Sequence, residues 1–498
     1  MNKFIVLLFL TSLLFAQQNQ ITILHWNDFH TQNLPFQVKT KNRATGTDTS
    51  FLVGGSATLS SYIKKYKSAS QNVLVLNAGD DFQGSPISTI TKGKSQIELM
   101  NMINPDAMEL GNHDFDYGRD QMSEYLKTAR FPILGGNIID KRTNHSYAKP
   151  YIIKQMGNVK VAVIGVMTTE LSNLSLPDNV RDFEVKEMSK SVNDIIPELK
   201  KLKVDLIIAL THAGVDYDSV LAMNSPDLDV IIGGHSHTPI FRPLRVNGIL
   251  IAQAGSRGRW LGKIDLTVDT EKDTVVKLYS ELIECRTADI APDSAIAVKV
   301  AELEKLAAKG LDEVIGELKT DWKREGRGES NIGNWIADAV RSFAKTDIGI
   351  QNNGGIRKEL LAGKIIVRDL WEISPFGNGL VTFSVNGATL RKMIQYQLTI
   401  GDDFCQISGM KVVYSNKNGE RILHNLKVNN ALVVDTVTYT IATNNYVAAQ
   451  AKKYFGIELS AAEIKQLNVS DRDVLIDAVR QQKVINSQIE GRIKETEE

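Results

Sequence analysis

The sequence has few cysteines and no excess of charge of either sign. It contains two cysteines, Cys285 and Cys405, far apart in the chain, which excludes a disulfide framework, a zinc ribbon and a CxxC redox site. Lys plus Arg and Asp plus Glu both number 58. No long-range field would therefore attract a polyanion, which argues against a general nucleic-acid binder or a binder of acidic membranes.

Proline is also scarce, with 12 residues in a chain of 498. The chain is 43% hydrophobic and 23% charged, which is typical of proteins that bury a large core and not of disordered chains. At roughly 150 residues per domain, and with some folds using more, the length predicts two to four domains.

The N-terminus is apolar, but its apolar run is short. Met1, Asn2 and Lys3 precede a largely apolar segment from Phe4 to Phe15, which Ala16 follows. A run of this length is below the ~20 residues that span a bilayer, so residues 1–16 are predicted to be a cleaved signal peptide rather than an anchor. The polar C-terminus carries no anchoring tail. We therefore expect a soluble exported protein, periplasmic or extracellular, without a stable membrane anchor.

The first part of the chain alternates short β-rich apolar runs with stretches of helical character, which predicts an α/β fold with helices covering a sheet. The predicted strands are Ile21–Leu24, Val73–Leu76, Val161–Val166, Leu206–Leu210, Val230–Ile232 and Ile249–Ala252.

A capped helix is predicted at 292–310, where Pro292, Asp293 and Ser294 precede an alanine-rich stretch and Gly310 follows it. We interpret it as a connector to a second region. That region has a predicted helix at Asn331–Phe343 and predicted strands at Val381–Val385 and Thr438–Thr443.

Polar side chains follow the predicted strands of the first region. Because ligands bind at the carboxyl ends of the strands in an open α/β sheet, we expect these loops to converge on one site. Asp, His and Asn together form a mixed oxygen and nitrogen set that suits Mn, Fe, Zn or Co rather than Ca. The groups are Asp28, His30, Asn77, Asp80, Asn112, His113, Asp114, His212, His235 and His237.

This set is too large for one ion. Two divalent ions about 3.5–4 Å apart, bridged by a carboxylate, would clamp an attacking water and a phosphoryl oxygen, so the set favours phosphoester hydrolysis. His113 adjoins Asn112, so its ring could donate to a phosphoryl oxygen or to the leaving alkoxide. Asp116 could orient that ring.

Five segments together resemble the calcineurin-like metallophosphatases, and more specifically the exported bacterial 5′-nucleotidase and UDP-sugar hydrolase family. They are Asp28-Phe-His30, Gly79-Asp80, Gly111-Asn-His-Asp-Phe-Asp116, Thr211-His212 and Gly233-Gly-His-Ser-His237. The resemblance implies an N-terminal four-layer α/β/β/α metallophosphatase domain at 17–290, a linker helix at 291–312 and a smaller α/β substrate-binding domain at 313–498.

The resemblance also implies the roles of individual residues. Asp80 would bridge two divalent metal ions, and His113 with Asp116 would form the catalytic dyad. One ion would be held by Asp28, His30, Asp80 and His237, and the other by Asp80, Asn112, His212 and His235.

Three neighbouring residues have simpler interpretations. His25 should face away from the site and have a structural hydrogen-bonding role. Asp81 and Asp114 flank the predicted ligands, and they either support those ligands or are solvated loop carboxylates.

The second region has three segments typical of a pocket for a flat polar molecule, Asn331–Asn334, Gln351–Arg357 and Ser374–Asn378. A glycine pair allows close backbone approach, an arginine supplies planar donors, and an aromatic ring can stack. The alternative is that these turns only connect strands.

The resemblance implies that Asn352 and Arg357 bind substrate, and that Phe376 and Tyr446 stack on a nucleotide base. The family usually continues after this tyrosine with an aspartate that holds the ribose. Here the sequence reads Val447-Ala-Ala-Gln-Ala-Lys-Lys-Tyr454, with Lys452 near that place. Arg324 or Arg327 would supply a further arginine.

The sequence therefore predicts an exported two-metal phosphohydrolase that acts on nucleotides or related small phosphoesters and not on a nucleic-acid polymer. Two alternatives remain open. One is a thiosulfohydrolase of the same fold, and the other is a non-catalytic exported protein that binds metal or ligand.

Overall fold

The computed structural model describes residues 18–41, 46–242, 244–272, 274–326, 328–399 and 404–496. The predicted signal peptide at 1–16 and Arg327 lie outside the described residues. Within the described residues, no helix has the length and apolar character needed to cross a lipid bilayer.

Strands and helices alternate through the first part of the chain, as predicted. Its strands are β1 (Gln18–Trp26), β2 (Phe36–Lys41), β3 (Asp48–Val53), β4 (Val73–Asn77), β5 (Ala107–Glu109), β6 (Ile133–Leu134), β7 (Ile138–Asp140), β8 (His145–Ser146), β9 (Tyr151–Met156), β10 (Val159–Met167), β11 (Phe183–Val185), β12 (Leu206–His212), β13 (Val230–Ile232), β14 (Leu244–Val246), β15 (Ile249–Ala252), β16 (Trp260–Asp269) and β17 (Thr274–Glu284). Its helices are α1 (Ser56–Ala69), α2 (Pro86–Thr91), α3 (Lys94–Ile103), α4 (Gly118–Thr128), α5 (Leu171–Leu174), α6 (Pro177–Val180), α7 (Met188–Lys201) and α8 (Val215–Asn224).

The predicted strands divide between two six-stranded sheets. The first has the order β17-β16-β1-β4-β5-β6, and the second has the order β14-β15-β13-β12-β10-β9. β1 pairs in parallel with β4, with Thr22 opposite Val73, and β10 pairs in parallel with β12, with Val161 opposite Leu206. In the first sheet β1, β4, β5 and β6 run parallel, and in the second β15, β13, β12 and β10 run parallel. The remaining strands, β16, β17, β14 and β9, pair antiparallel with their neighbours.

The two sheets face each other across a buried apolar core that includes Ile23 and Leu76 from the first sheet and Val163 and Leu210 from the second. Separate apolar clusters join the outer face of the first sheet to α1, α3 and α4, and the outer face of the second sheet to α7 and α8. The predicted four-layer α/β/β/α arrangement is therefore confirmed. The near-continuous apolar character of the strands follows, because each inner strand is covered on both faces.

The connector is α9 (Ser294–Ala307), and the side chain of Asp293 caps it by accepting from the backbone N–H groups of Ala295 and Ile296. The predicted helix is slightly too long, since α9 ends before Gly310. Ile296, Val300 and Leu303 of α9 belong to a core that includes Ile87 of α2 and residues of the C-terminal part. This helix thus packs on both parts of the chain.

The C-terminal part is a smaller α/β unit, as predicted. Its strands are β18 (Val314–Leu318), β19 (Ile348–Asn352), β20 (Gly363–Ile366), β21 (Gly379–Asn386), β22 (Cys405–Ser408), β23 (Met410–Lys417), β24 (Glu420–Val428), β25 (Ala431–Leu432), β26 (Thr438–Asn444), β27 (Lys465–Ser470), β28 (Val484–Ile485) and β29 (Ile493–Glu495). Its helices are α10 (Asn331–Ala344), α11 (Val367–Ile373), α12 (Gly387–Thr399), α13 (Asn445–Ala449), α14 (Ala451–Phe455) and α15 (Asp471–Gln482). A mixed sheet of order β22-β19-β26-β21-β27 forms its centre.

Candidate metal centre and substrate cavity

The predicted ligands lie in loops at the carboxyl ends of strands from both sheets. Those from the first sheet follow β1, β4 and β5, and those from the second end β12 or follow β13. The sequence predicted convergence at one sheet edge, whereas the structure brings together the edges of two facing sheets. The site lies where these edges meet.

Asp28, His30 and His237 form the first group of possible metal ligands, with one donor atom from each lying within 4.8 Å of the others. His237 Nε2 lies 3.3 Å from Asp28 Oδ1 and 3.0 Å from His30 Nε2. Three such donors around one point, two of them on buried residues, could hold one divalent ion.

Asp80, His212 and His235 form the second group, within the same distance of one another. His212 Nε2 lies 3.2 Å from Asp80 Oδ2, and that same oxygen lies 4.0 Å from His30 Nε2 in the first group. Asp80 thus stands between the two groups, which is the position that a bridging carboxylate requires.

Two of the candidate histidine ligands, His30 and His212, are oriented by contacts between their Nδ1 atoms and backbone carbonyl oxygens. His30 Nδ1 lies 3.2 Å from the carbonyl oxygen of Phe82, and His212 Nδ1 lies 2.7 Å from that of Ala78. An Nδ1–H donated to a carbonyl leaves Nε2 as the lone-pair donor toward the centre. Among the described residues, the buried Asn112 Oδ1 has no hydrogen-bond partner. The donor set therefore fits divalent metal ions.

Five of the candidate ligands adopt backbone angles in the left-handed region, which costs energy for a residue with a side chain. Their φ values are 49° for Asp28, 50° for His30, 59° for Asp80, 80° for His235 and 54° for His237. Such strain persists only where surrounding contacts impose it. All five residues belong to the two groups of candidate ligands, so the strained turns occur where those ligands are placed.

The charges in the site favour a cation. Burial acts to raise the pKa of Asp28, but the neighbouring His237 and His212 together outweigh it and lower that pKa to about 2. Burial acts to lower the pKa of His212, yet Asp80 and Asp28 raise it to about 10. Burial lowers the pKa of His235 to about 4. The pKa of Asp80 is likewise held well below its ordinary value, because His212 and His113 outweigh its burial. Asp28 and Asp80 are thus ionised although they are buried, and the protonated His212 supplies positive charge that a bound metal ion would replace.

Asp114 supports the backbone that carries Asp80. Its carboxylate accepts from the backbone N–H groups of Gly111 at 2.7 Å and of Asp80 and Asp81 at 3.2 Å. Both Asp81 and Asp114 are buried, so neither is a solvated loop carboxylate. A Cβ on Gly111 would lie 2.2 Å from Asp80 Oδ1, which explains the glycine.

His113 and Asp116 are in direct contact, with 2.7 Å between Nδ1 and Oδ2. The backbone N–H of His113 donates to Asp80 Oδ1 at 2.8 Å. Burial acts to lower the pKa of His113, but Asp116 and Asp80 outweigh it and raise that pKa above its ordinary value. The imidazole is therefore held beside the candidate metal ligands and can donate a proton from Nε2.

A cavity of about 190 Å³ opens above these groups, and residues of both parts of the chain line it. The structure brings the predicted substrate residues and most of the predicted metal and catalytic residues to this one cavity. Those lining it are Asp80, Asn112, His113, Asp116, His235, His237, Asn352, Arg357, Phe376 and Tyr446.

The two aromatic rings predicted to clamp a base both line the cavity, and each packs against a different ring of the protein. Phe376 stacks on His113 with ring centroids 5.3 Å apart at 23°, and the Arg357 guanidinium lies 5.6 Å from its centroid. Tyr446 packs edge-on against Tyr454, and its hydroxyl donates to the Asn173 carbonyl at 3.0 Å. Arg357 Nη2 lies 3.4 Å from His30 Nε2, which places its charge at the first ligand group.

The expected hydrogen-bonding role of His25 is wrong. His25 is buried with no hydrogen-bond partner at either ring nitrogen among the described residues, and burial lowers its pKa to about 4. It is therefore a packed neutral ring rather than a hydrogen-bonding residue. Lys452 is exposed and pairs with Glu458 at 3.0 Å, whereas Lys453 lines the cavity. Arg324 is absent from the described cavity wall.

Sequence reasoning missed Arg257. Its backbone N–H donates to the carbonyl oxygen of Asp28 at 2.8 Å, and its side chain donates to the carbonyl oxygen of Arg357. It thus connects a metal-site loop to the substrate arginine. The only signal was an arginine between glycines, in Gly255-Ser-Arg-Gly258.

The segment of α5 and α6 was also missed, although Leu174, Ser175, Leu176 and Asn179 line the cavity. Asn179 donates to the carbonyl oxygen of Asp116 at 2.8 Å. The segment contains no recognisable motif.

Comparison with known proteins identifies both parts of the chain. The family model for the calcineurin-like phosphoesterases matches residues 21–239, and the model for the 5′-nucleotidase C-terminal domain matches residues 314–456. The chain belongs to the calcineurin-like phosphoesterases with a 5′-nucleotidase C-terminal domain. The predicted family and the predicted class of enzyme, a metal-dependent phosphoester hydrolase, are confirmed.

Individual relatives agree with this family. A snake venom 5′-nucleotidase from Naja atra is 29% identical, over 95% of this chain and 98% of the relative. Endonuclease YhcR from Bacillus subtilis is 31% identical over 80% of this chain, which covers only 35% of that longer protein. The crystal structure of a 5′-nucleotidase precursor from Thermus thermophilus matches with a TM-score of 0.87 and 25% identity, over 96% of this chain and all of the other.

Proposed function

We propose that this protein is an exported two-metal phosphohydrolase that releases phosphate from nucleotides or related small phosphoesters. The observation that carries the proposal is the position of Asp80, between two groups of ligand atoms and beside the His113–Asp116 pair. Similarity to 5′-nucleotidases over nearly the whole chain supports the nucleotide substrate.

Two divalent metal ions, Mn, Zn, Fe or Co, would share this site. Asp28, His30, Asp80 and His237 would hold one ion, and Asp80, Asn112, His212 and His235 the other. When bound, such a pair supplies Lewis acidity to the phosphoryl group and activates a water for in-line attack. The protein contributes the fixed geometry, through the carbonyl contacts to His30 and His212 and the left-handed backbone of the ligand loops.

His113 and Asp116 would supply a proton during hydrolysis, with His113 as the donor and Asp116 as the group that orients it. Asp116 accepts from His113 Nδ1–H, which fixes the ring and leaves Nε2–H directed toward the cavity. A positioned imidazolium can donate to the developing charge on a phosphoryl oxygen or to the leaving oxygen. Because neither group is needed to hold a metal, the pair favours an enzyme over a non-catalytic binding protein.

The C-terminal part would hold the rest of the substrate. Arg357 would bind the phosphoryl group, since its guanidinium lies at the first ligand group. Asn352 would donate a hydrogen bond, and Phe376 and Tyr446 would offer ring faces to a base. The domains proposed from the sequence, 17–290 and 313–498 with a linker at 291–312, would each supply one wall of the cavity.

The experiment is an assay of the chain expressed from Gln17 with Mn²⁺, using AMP, ATP, a cyclic nucleotide, UDP-glucose and an aryl phosphate as substrates. A His113→Ala variant and a chelator-treated sample are the controls. We expect metal-dependent release of phosphate from AMP that both controls lose. Turnover of the aryl phosphate alone would keep the phosphatase and reject the nucleotide, and inactivity on every substrate would favour the thiosulfohydrolase or the binding protein.

Export is a separate part of the proposal, supported by the apolar segment at 1–16. Expression of the full chain in a bacterial host, followed by N-terminal sequencing of the periplasmic protein, tests it. A protein retained in the cytoplasm with Met1 intact would contradict export.

A further inference from the structure

The segment of α5 and α6 is hydrogen-bonded to the C-terminal part of the chain through its backbone carbonyl groups. Gln450, between α13 and α14, donates from Nε2 to the carbonyl oxygens of Ser172 at 2.8 Å and Ser175 at 3.3 Å. The Tyr446 hydroxyl donates to the Asn173 carbonyl oxygen at 3.0 Å. Two side chains of the C-terminal part therefore hold neighbouring carbonyl groups of this N-terminal segment.

Tyr446 and Gln450 occupy the same face of one helical turn. They are four residues apart, and the backbone N–H of Gln450 donates to the Tyr446 carbonyl oxygen at 3.0 Å. Tyr446 lines the cavity, whereas Gln450 is 7% exposed and is absent from the described cavity wall. Gln450 can therefore affect a ligand only through a neighbouring residue.

The same segment is also hydrogen-bonded to the loop that carries the His113–Asp116 pair. Ser175 Oγ donates to the Asn112 carbonyl oxygen at 3.2 Å, and Asn179 Nδ2 donates to the Asp116 carbonyl oxygen at 2.8 Å. Ser175 thus accepts from Gln450 and donates to Asn112. The segment connects the turn that carries Tyr446 to the loop at the candidate metal centre.

We propose that Gln450 is a positioning residue for substrate selection. By fixing its helical turn against the segment of α5 and α6, it holds the Tyr446 ring at a set distance from the candidate metal centre. A ring that is already in place loses less freedom when a base stacks on it, so the base is bound more tightly. This inference rests on the proposed function, because it concerns substrate selection at the same site.

The test compares AMP with ribose 5-phosphate, which has the same phosphoester but no base, as substrates of the Mn²⁺-loaded protein. We expect the wild-type protein to prefer AMP by about tenfold or more in kcat/KM, because a stacked base adds binding energy. Gln450→Met keeps the length of the side chain and removes both hydrogen bonds. It should reduce the preference to less than about threefold by raising KM for AMP, with kcat and the ribose 5-phosphate kinetics near wild type.

Gln481→Met, at an exposed glutamine of α15, is the matched control and should keep the preference for AMP. Thermal unfolding of the three proteins separates a loss of stability from a loss of positioning. An equal rise in KM for both substrates in Gln450→Met would overturn the proposal, as would a lower unfolding temperature with the preference unchanged. In either case Gln450 would only support the fold. A wild-type protein that does not prefer AMP would also overturn it.

A double-mutant cycle tests whether Gln450 acts through the Tyr446 ring. In a Tyr446→Ala background, Gln450→Met should change the preference for AMP no further, because the residue that it positions is gone. Additive effects of the two substitutions would contradict a positioning role.

Calorimetric titration of AMP and ribose 5-phosphate into the metal-loaded wild-type and Gln450→Met proteins measures the same preference without any turnover. A protein that hydrolyses no phosphoester but prefers AMP through Gln450 would contradict the proposed function and support the positioning role. A metal-dependent phosphatase whose preference for AMP does not depend on Gln450 would do the opposite.

Discussion

The two walls of the cavity are built in different ways. The N-terminal wall is made of loops at strand ends, with buried ligands such as Asp28 and Asp80 and a network of contacts to their backbones. The C-terminal wall offers longer side chains that reach the cavity from several elements, including Arg357 from a loop and Lys453 from α14. The comparison teaches that reaction chemistry is concentrated on a preorganised wall, whereas substrate selection depends on side chains that can vary without disturbing it.

Loss of Asp80 should have the largest effect, because both groups of metal ligands include or adjoin it. Asp80→Asn should lower kcat/KM for the aryl phosphate at least about 1,000-fold, which corresponds to about 4 kcal/mol of transition-state stabilisation. Metal analysis of the purified variant should show less than the wild-type content. Asp120→Asn, at an exposed carboxylate on α4, should leave both quantities unchanged, and an Asp80→Asn variant with full metal content would contradict the bridging role.

Replacing His113 tests the same wall without removing a proposed ligand. His113→Gln should lower kcat by about 100-fold or more, the usual range for loss of general acid catalysis. The metal content should stay at the wild-type level. Asp116→Asn should give a smaller decrease, because the ring remains present but less well oriented. Metal loss in the His113 variant would mean that the two roles on this wall are not separate.

The C-terminal wall should show its effect in KM rather than in metal binding. Replacing both Phe376 and Tyr446 with Ala should raise KM for a nucleotide about 10- to 100-fold, since stacking is worth about 1–3 kcal/mol per base. Metal content should not change. Phe343→Ala, at an exposed ring of α10, is the control. Normal nucleotide kinetics in the double variant would reject the aromatic clamp.

The smallest effect should come from Asp218, a buried carboxyl of α8 that accepts from the Thr211 hydroxyl at 2.6 Å. Burial raises its pKa from 3.8 to about 7. Between these two values the folded protein keeps a proton that the unfolded chain has lost, so stability falls as pH rises through this window. Asp218→Asn should remove that part of the fall.

Thermal unfolding from about pH 4 to about pH 7 measures this difference, with a change of a few degrees expected between the two proteins. Asp216→Asn, an exposed carboxylate of the same helix, provides the comparison. If the wild-type and Asp218→Asn proteins show the same dependence of thermal unfolding on pH, Asp218 does not titrate in this window. Burial would then not raise its pKa as expected.

The predictability of the two walls differs for a physical reason. The ligands of the N-terminal wall follow strands, and strands with both faces covered read as continuous apolar runs, so the loops after them were recognisable. The division of those strands between two sheets depends on long-range pairing, such as β1 with β16, which local pattern does not encode.

On the C-terminal wall, the difference between two adjacent positions decides which lysine faces the cavity. Lys452 and Lys453 are adjacent in α14, and each residue of a helix turns the side chain by about 100°. One lysine therefore faces solvent and the other faces the cavity, although the sequence could not separate them. The contributions of Arg257 and Asn179 likewise depend on contacts between distant segments.

The left-handed backbone at Asp28, His30 and Asp80 bears on how durable the protein can become. Glycine at such a position normally relieves about 1 kcal/mol of conformational cost. Here each exchange would delete a side chain on which turnover depends, so selection for activity keeps these loops strained. Engineering for heat resistance would instead begin at Lys345, which ends α10 with φ of 55° and where no proposed chemistry is at stake.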